Sequence, residues 1–364
     1  MGLDQVQRCA IHPAIGIARA GNSPEEYFTG PEVPGVLPVA GDRYRDPQGR
    51  LKRQAARFRI YGYDASGNVV KEITSDEAEI EWTVHLANKK GAWYCIKFAM
   101  DIPDAVPVPR RNPSYAGDRA DLIIDPGPRS VSGCEAVARF DGGRFLGTEV
   151  PLGEIRTDSK GRLLVFGGLG RSASVSGKPI ASFDNEEWYD DNSDGPVTAR
   201  VAIDGRSVEV TPAWVIVGPP DYAPGIRSVL TLYDLLYQVA VDKEWLTPPV
   251  RPSFARHIYP LFEAFSNLQW VNAGFYLEYG WGSPDYLLDP ENLERLADKS
   301  EKNREARQSL FRRFRSPGFE KEEPDGLPPL YGDAMNLPVP PGNPRKWLAI
   351  TPVQYGWLKQ WAEG

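Results

Sequence analysis

Short stretches of alternating hydrophobic and polar residues fill the first 217 positions of the chain. Alternation with a period of two is typical of strands that bury one face. Turn-forming clusters of Gly, Asn, Asp and Ser separate the stretches, and the clearest hairpin signal is Asp204-Gly205. The pattern predicts a β-rich amino-terminal domain of short antiparallel strands over residues 1–217. The stretches include RQAARFRIYGYD (53–64), EIEWTVHLA (79–87), AWYCIKFAM (92–100), GRLLVFGG (161–168) and RSVEVTPAWVIVG (206–218).

An apolar run near the amino terminus, CAIHPAIGIARAGNS (9–23), could be mistaken for an export signal. Polar residues and a proline interrupt it before an apolar core of the required length has formed. We interpret it as a first strand followed by a turn. Because no stretch approaches the roughly 18 apolar residues of a membrane helix, we expect a soluble protein, cytoplasmic or exported without a recognisable signal peptide.

The pattern changes after residue 217. Apolar residues recur at helical spacing from Ile226 to Tyr237, which predicts a helix there. Further helix-like segments lie near 254–266, 286–298, 299–315 and 352–363, and proline-rich loops separate them. The sequence therefore predicts an α+β protein, in which a helical and loop-rich portion over residues 218–364 follows the β-rich domain.

Charge and cysteine content exclude several classes of protein. The formal net charge of −7 provides no general basic field, which disfavours a nucleic-acid partner. A basic cluster over residues 299–315 carries interleaved glutamates at helical spacing, which is typical of a solvated helix face. The three cysteines, Cys9, Cys95 and Cys134, are too few for a disulfide framework.

One acidic stretch has a spacing that suggests chemistry. In DDNSDG (190–195), Asp190, Asn192 and Asp194 match the first half of a calcium-binding loop. The twelfth position of that loop falls on Val201, which cannot coordinate a cation. Two interpretations stay open: a structural turn made by Asp and Asn side chains, which we prefer, and a site for a weakly bound cation. The chain has no G-x-S-x-G, phosphate-loop or H-E-x-x-H pattern.

A wider resemblance runs through most of the chain. Seven segments in the same order resemble the quinone-dependent amino-acid oxidases, the family of lysine epsilon-oxidase and glycine oxidase. They are IHPAIGIARAGNSPEEYFTGPEVPG (11–35), DDNSDGPVTARV (190–201), VGPPDYAPGIRSVLTLYDLL (217–236), HIYPLF (257–262), QWVN (269–272), LPPLYGD (327–333) and LAITPVQYGWLKQWAEG (348–364).

This resemblance implies an activity and a cofactor. The family oxidatively deaminates a primary amine with oxygen and releases hydrogen peroxide and ammonia. Its cofactor is cysteine tryptophylquinone, formed from a Cys and a Trp of the enzyme and matured by a separate flavoprotein. The quinone is the electron sink, while the protein orients the amine and supplies a base.

The sequence departs from the family at the cofactor. The family's cofactor cysteine follows an aspartate by four residues, whereas Gln5, Gly91 and Ser130 precede Cys9, Cys95 and Cys134. The glycine-rich and tryptophan-bearing stretches that come later in the family are also missing. We therefore expect the amino-terminal part or one subunit of such an oxidase, completed by a carboxy-terminal region or second subunit, and in oligomeric form. A non-catalytic β-rich scaffold, or a cation-stabilised binding module, is the alternative.

Two residues of the segment PPDYAP (219–224) are candidates for a substrate channel. The family places an aromatic residue along the channel here, and Tyr222 matches it. An aromatic wedge between domains is an equally good interpretation of Tyr222. Asp221 would attract a cationic amine by its charge, although a turn closed by its carboxylate is the preferred interpretation.

Overall fold

The computed structural model describes residues 2–38, 43–93, 110–179, 186–318, 326–327 and 349–364. The described residues up to Pro224 form one compact unit, and those from Gly225 to Gly364 form a second. The change of sequence pattern predicts a boundary slightly earlier, at 217–218. The first unit is rich in strands and the second is helical, so the predicted α+β class is confirmed.

The first unit contains eighteen strands among its described residues. They are β1 (Arg8–His12), β2 (Ile15–Arg19), β3 (Tyr27–Thr29), β4 (Arg53–Tyr63), β5 (Val69–Ile73), β6 (Glu79–Val84), β7 (Arg129–Ser132), β8 (Val137–Arg139), β9 (Arg144–Phe145), β10 (Thr148–Glu149), β11 (Glu154–Thr157), β12 (Leu163–Phe166), β13 (Ser172–Ser174), β14 (Trp188–Asp190), β15 (Ser193–Ile203), β16 (Arg206–Val208), β17 (Val210–Thr211) and β18 (Ala213–Gly218). The short helix α1 (Lys90–Trp93) and 3-10 turns at Leu3–Gln5 and Arg119–Leu122 lie among the described strands.

Fourteen of these strands join one sheet. Its main path runs β7-β6-β15-β18-β2-β4-β12-β11-β8, and β1, β3, β5, β16 and β17 pair outside that path. Most pairs are antiparallel, as predicted, but β1–β17, β2–β18 and β3–β4 are parallel. The predicted short antiparallel strands thus make up most of the sheet, with these parallel pairs and the eleven-residue strands β4 and β15 as additions to it. Parallel strands need long connections, which local alternation does not reveal.

The opening apolar run forms two strands instead of the single predicted one. β1 ends at His12 and β2 begins at Ile15, with a cis bond between His12 and Pro13. Proline has no backbone N–H to donate to the sheet, so the ladder breaks at this point. β1 then pairs with β17 while β2 pairs with β18.

The alternating side chains of the sheet bury a common apolar core. Phe58, Trp82, Val165 and Val215 are each at most 1% exposed. The indole of Trp82 donates to the carbonyl of Gly161 at 2.8 Å, so its one polar atom is satisfied. The hairpin predicted at Asp204-Gly205 is confirmed, because β15 and β16 pair antiparallel across it and both turn residues have positive φ.

The second unit packs helices around its own apolar core. Their bounds are α2 (Leu232–Asp242), α3 (Tyr259–Asn267), α4 (Ala273–Tyr279), α5 (Pro290–Ala297), α6 (Arg304–Arg312) and α7 (Pro352–Glu363), with a π-helical turn at Phe254–Ile258 and single 3-10 turns at Leu268–Trp270 and Glu301–Asn303. Phe262, Phe265, Leu358 and Ile350 lie in its centre. None of the described helices has the length and apolar character needed to cross a bilayer.

Two expectations about these helices were wrong. α2 begins at Leu232 instead of near Ile226, because Thr231 and Asp234 form a capping box that fixes the start. The basic cluster is also not wholly solvated: Arg307 in α6 is 1% exposed. Its guanidinium donates to the backbone carbonyls of Asp298, Lys299, Ser300 and Trp361, which satisfies the buried charge.

Candidate functional site

A cavity of about 530 Å³ opens in the first unit. It lies where three neighbouring strands end or begin: the residues after β6, the start of β15, and β18. We call it the β6–β15–β18 cleft. Its walls are formed by His85, Ala87, Asn88, Lys89, Lys90, Asn192, Ser193, Asp194, Gly195, Pro196, Trp214, Ile216 and Val217.

Strand register explains which side chains form the wall of the cleft. Asp194 stands opposite Ile216, Pro196 stands opposite Trp214, and Ala87 pairs with Asp194. Since side chains alternate along a strand, the intervening residues point into the core, as buried Val197 and Val215 do. The cleft therefore lies on the outer face of the sheet, and the opposite face packs in the core.

Gly195 permits the close approach of strands at this site. A Cβ atom there would lie 1.8 Å from the carbonyl oxygen of His85, a distance that no side chain can occupy. The sequence pattern attributes Gly195 to a calcium-type loop, but the structure places it inside β15. Its role is to bring the β15 backbone against the residues after β6.

An ion pair and a histidine–carboxylate hydrogen bond lie at one end of the cleft. The ammonium of Lys90 lies 2.5 Å from Asp190 Oδ2, and Asn88 donates to Asp190 as well. His85 Nε2 lies 2.7 Å from Asp125 Oδ1. Burial alone would raise the pKa of the Asp125 carboxyl, but the hydrogen bonds from His85 and the Gly127 backbone lower it below its usual value.

The other end of the cleft carries a carboxylate beside an indole. Asp194 Oδ2 accepts a hydrogen bond of 3.1 Å from Trp214 Nε1. The Trp214 side chain is 42% exposed, although tryptophan is highly buried on average. The hydroxyl of Ser193 is buried and has no hydrogen-bond partner among the described residues.

The three residues of the predicted cation site have other partners. Asp190 is occupied by Lys90 and Asn88, and it accepts the backbone N–H of Asn192 at 3.0 Å, which is the predicted turn. Asp194 bonds Trp214. Within the described ranges, no group of three or more His, Cys, Asp or Glu side chains could hold a metal ion. A weakly bound cation at Asp190, Asn192 and Asp194 stays a prediction.

The candidate channel residues lie at the end of the first unit. Asp221 Oδ1 accepts the backbone N–H of Ala223 at 3.0 Å, which is the preferred turn, and its Oδ2 lies 3.8 Å from Arg19 Nε. The Tyr222 side chain is 74% exposed. Their assignment to a channel stays a prediction.

Cys9 does not fit a cysteine tryptophylquinone. Cys9 in β1 is fully buried, and burial raises the pKa of its thiol to about 11 despite the nearby charge of Arg206. An amine from solvent could not reach a quinone at that position. Cys134 is exposed and donates its thiol to the carbonyl of Ser159 at 3.4 Å. Cys95 lies outside the described residues, as does most of LPPLYGD (327–333).

Sequence reasoning missed most of the cleft. His85 is isolated in the sequence and pairs with Asp125, forty residues away. Trp214 is one of ten tryptophans, so the tryptophan content does not single it out as a site residue. Two local signals do point to this site: the acidic stretch DDNSDG contains Asn192 and Asp194, and the alternation of RSVEVTPAWVIVG indicates that Trp214 and Ile216 share one face of a strand.

The fold and the order of its segments define the class of protein. The family model described as L-Lysine epsilon oxidase N-terminal matches residues 12–217, which is the strand-rich part of the first unit. The chain belongs to this family, and the resemblance found in its sequence is confirmed.

Particular relatives extend the match beyond the first unit. L-lysine 6-oxidase of Marinomonas mediterranea is 34% identical over an alignment of 314 residues, which covers 72% of this chain and 43% of that protein. The structure of the Schiff base intermediate of L-Lys epsilon-oxidase from the same organism, with L-Lys, superposes with a TM-score of 0.70 at 27% identity. A second structure of that oxidase gives 0.70 at 28% identity. Each match covers 98% of this chain and 61% of the solved chain.

Proposed function

We propose that this chain is the amino-terminal part or a subunit of an amino-acid oxidase that deaminates a primary amine with oxygen and yields hydrogen peroxide and ammonia. The observation that carries the proposal is the superposition of 98% of the chain on a lysine epsilon-oxidase that was solved with L-Lys. Lysine is the preferred substrate because both relatives bear its name. Glycine, the other substrate of the resembling family, is the second choice.

The proposal assigns the cofactor to other polypeptide. The chain spans less than two thirds of its relatives, at 43% of the curated protein and 61% of the solved chain. Cys9 is buried, and Ser130 stands where the family has an aspartate four residues before its cofactor cysteine, so Cys134 lacks that partner. We therefore propose that cysteine tryptophylquinone, the electron sink of the family, is carried by a further region or subunit. A flavoprotein that matures the cofactor is a second proposed partner.

Within this chain, we propose that Tyr222 and Asp221 line the channel through which the amine passes. Tyr222 is exposed and presents both an apolar ring and a polar hydroxyl, which suits an amine with an aliphatic stem. Asp221 is partly neutralised by Arg19, so its attraction for a cation is weaker than that of a free carboxylate.

The test is an activity measurement on protein purified from its natural source with any polypeptide that accompanies it. We expect peroxide and ammonia in equal amounts when L-lysine is added, and less with glycine. Peroxide without ammonia would point to another oxidase chemistry. A folded, isolable assembly that produces neither product from any amine would contradict the proposal and favour the alternative of a scaffold or cation-stabilised module.

A further inference from the structure

One carboxylate that lines the β6–β15–β18 cleft, that of Asp194, has no cationic partner among the described residues. Asp190 is paired with Lys90, and Asp125 accepts a hydrogen bond from His85 and lies in the field of Lys89. Asp194 differs, because its hydrogen-bonding partner among the described residues is the neutral indole N–H of Trp214. Asp194 is exposed, and no cationic side chain among the described residues lies within ion-pair distance to compete with a ligand for its carboxylate.

The indole beside Asp194 is held in a fixed orientation. Its Nε1–H is tied to Asp194 Oδ2 at 3.1 Å, and the side chain is 42% exposed. The face of an indole attracts an ammonium or guanidinium group within about 6 Å of the ring centre. Because the N–H edge of the indole is turned to Asp194, a cation bound to the carboxylate must lie above the ring plane to meet the electron-rich face as well.

The part of the wall next to Asp194 and Trp214 suits a short aliphatic stem, while His85, Asn88, Lys89, Lys90 and Asn192 form the polar part. Ala87, Pro196 and Ile216 lie on the same outer face as Asp194 and Trp214. The volume of about 530 Å³ falls within the range of about 300 to 1,000 Å³ that is usual for small-molecule pockets.

We propose that this cleft is a binding site for a small aliphatic primary amine, whose ammonium group is held by the Asp194 carboxylate against the face of Trp214. Ala87, Pro196 and Ile216 contact the aliphatic stem of the ligand. The proposal goes beyond the proposed function, because it concerns binding by the first unit and makes no use of a quinone or of oxygen. It holds whether or not the assembly oxidises amines.

The test measures binding to the full chain with two probes of equal shape. n-Butylammonium chloride carries the charge and n-butanol does not. The indole N–H resonance of Trp214, assigned by its loss in the Trp214→Phe variant, reports on the site directly. We expect butylammonium to shift this resonance in a saturable way and to bind about tenfold or more tightly than butanol, with affinity falling as salt is raised.

Asp194→Asn is the decisive variant, since the amide retains an acceptor for Trp214 and removes the charge. We expect about a tenfold loss of butylammonium affinity and no change for butanol. Asp204→Asn, in the exposed hairpin turn, is the matched control and should bind like the unaltered chain. Equal binding of the two probes, retained affinity in Asp194→Asn, or a Trp214 resonance that responds to neither probe would each overturn the proposal.

L-Lysine and N-ε-acetyl-lysine then distinguish the sources of the amine. If L-lysine shifts the Trp214 resonance and the acetylated form does not, the site takes the side-chain amine of an amino acid. If butylammonium binds and neither amino acid does, the site takes simple alkylamines. Both results support the ammonium site, and loss of oxidase activity in the assembly would leave either result unchanged.

Discussion

At the scale of single residues, Asp46 shows how a buried charge is stabilised. Ser23 donates its hydroxyl to Asp46 Oδ2 at 2.8 Å, and Arg50 donates its Nε to the same oxygen at 2.7 Å. Burial alone would raise the pKa of this carboxyl, but the hydrogen bonds from Ser23 and Arg50 outweigh it. The pKa falls from 3.8 to about 2.

The lowered pKa of Asp46 predicts how the free energy of unfolding depends on pH. A carboxylate with a lower pKa in the folded state stabilises the fold above its usual pKa and loses that effect as pH falls. The difference in unfolding free energy between the unaltered chain and Asp46→Asn should therefore shrink between about pH 4 and about pH 2. Urea unfolding at each pH measures it. Ser23→Ala should move the loss to higher pH, and a difference that stays constant with pH would show the account of Asp46 to be wrong.

Tyr222 allows the proposed substrate channel to be tested in the active assembly. Because an aromatic contact contributes about 0.5 to 1.5 kcal/mol, Tyr222→Ala should raise the KM for the amine by roughly two- to tenfold while kcat is retained. Thermal unfolding should change little, since the side chain is 74% exposed. Trp245→Ala removes an aromatic side chain with the same 74% exposure and serves as the control. An unchanged KM in Tyr222→Ala would remove the residue from the channel.

At the scale of elements, the caps of α2 and α7 are joined. Thr351 caps α7 in a capping box with Gln354, and Thr231 caps α2 with Asp234. The amide of Gln354 then donates to Asp234 Oδ1 at 3.0 Å. The starts of two helices that are far apart in sequence are thereby fixed by one buried hydrogen-bond chain.

This arrangement predicts the effect of removing one cap. Thr351→Ala should lower the free energy of unfolding by about 1 kcal/mol, because the backbone N–H of Gln354 loses its acceptor. Ser253→Ala is the control, since Ser253 precedes the π-helical turn without a capping hydrogen bond from its side chain. Chemical denaturation measures both. Equal effects of the two substitutions would show that the Thr351 cap contributes nothing.

Local elements could be predicted from sequence where the signal itself is local. The hairpin at Asp204-Gly205 follows from two residues that tolerate positive φ between alternating runs. The start of α2 was predicted too early because the apolar spacing continues upstream of Thr231, and only the capping box shows where the helix begins. The helix Ala273–Tyr279 was not predicted, because its seven residues are too few for a clear period.

At the scale of the whole molecule, long-range pairing is what sequence reasoning could not supply. The β2–β18 pair joins Ile17 to Ile216, and no local pattern indicates that these strands are neighbours. The cleft depends on the same kind of pairing, since Asp194 meets Trp214 only because β15 and β18 are adjacent. The family could be inferred from sequence because ordered motifs carry information that does not require the fold.

The central claim is that this chain forms part of an enzyme that removes the side-chain amine of lysine. The most direct measurement uses L-lysine isotopically labelled at the ε nitrogen, given to the naturally assembled protein with oxygen present. The account predicts that the ammonia released carries the label and that peroxide appears with it. Unlabelled ammonia would come from the α position and would contradict the claim. Labelled lysine that is recovered intact from a folded assembly would contradict it as well.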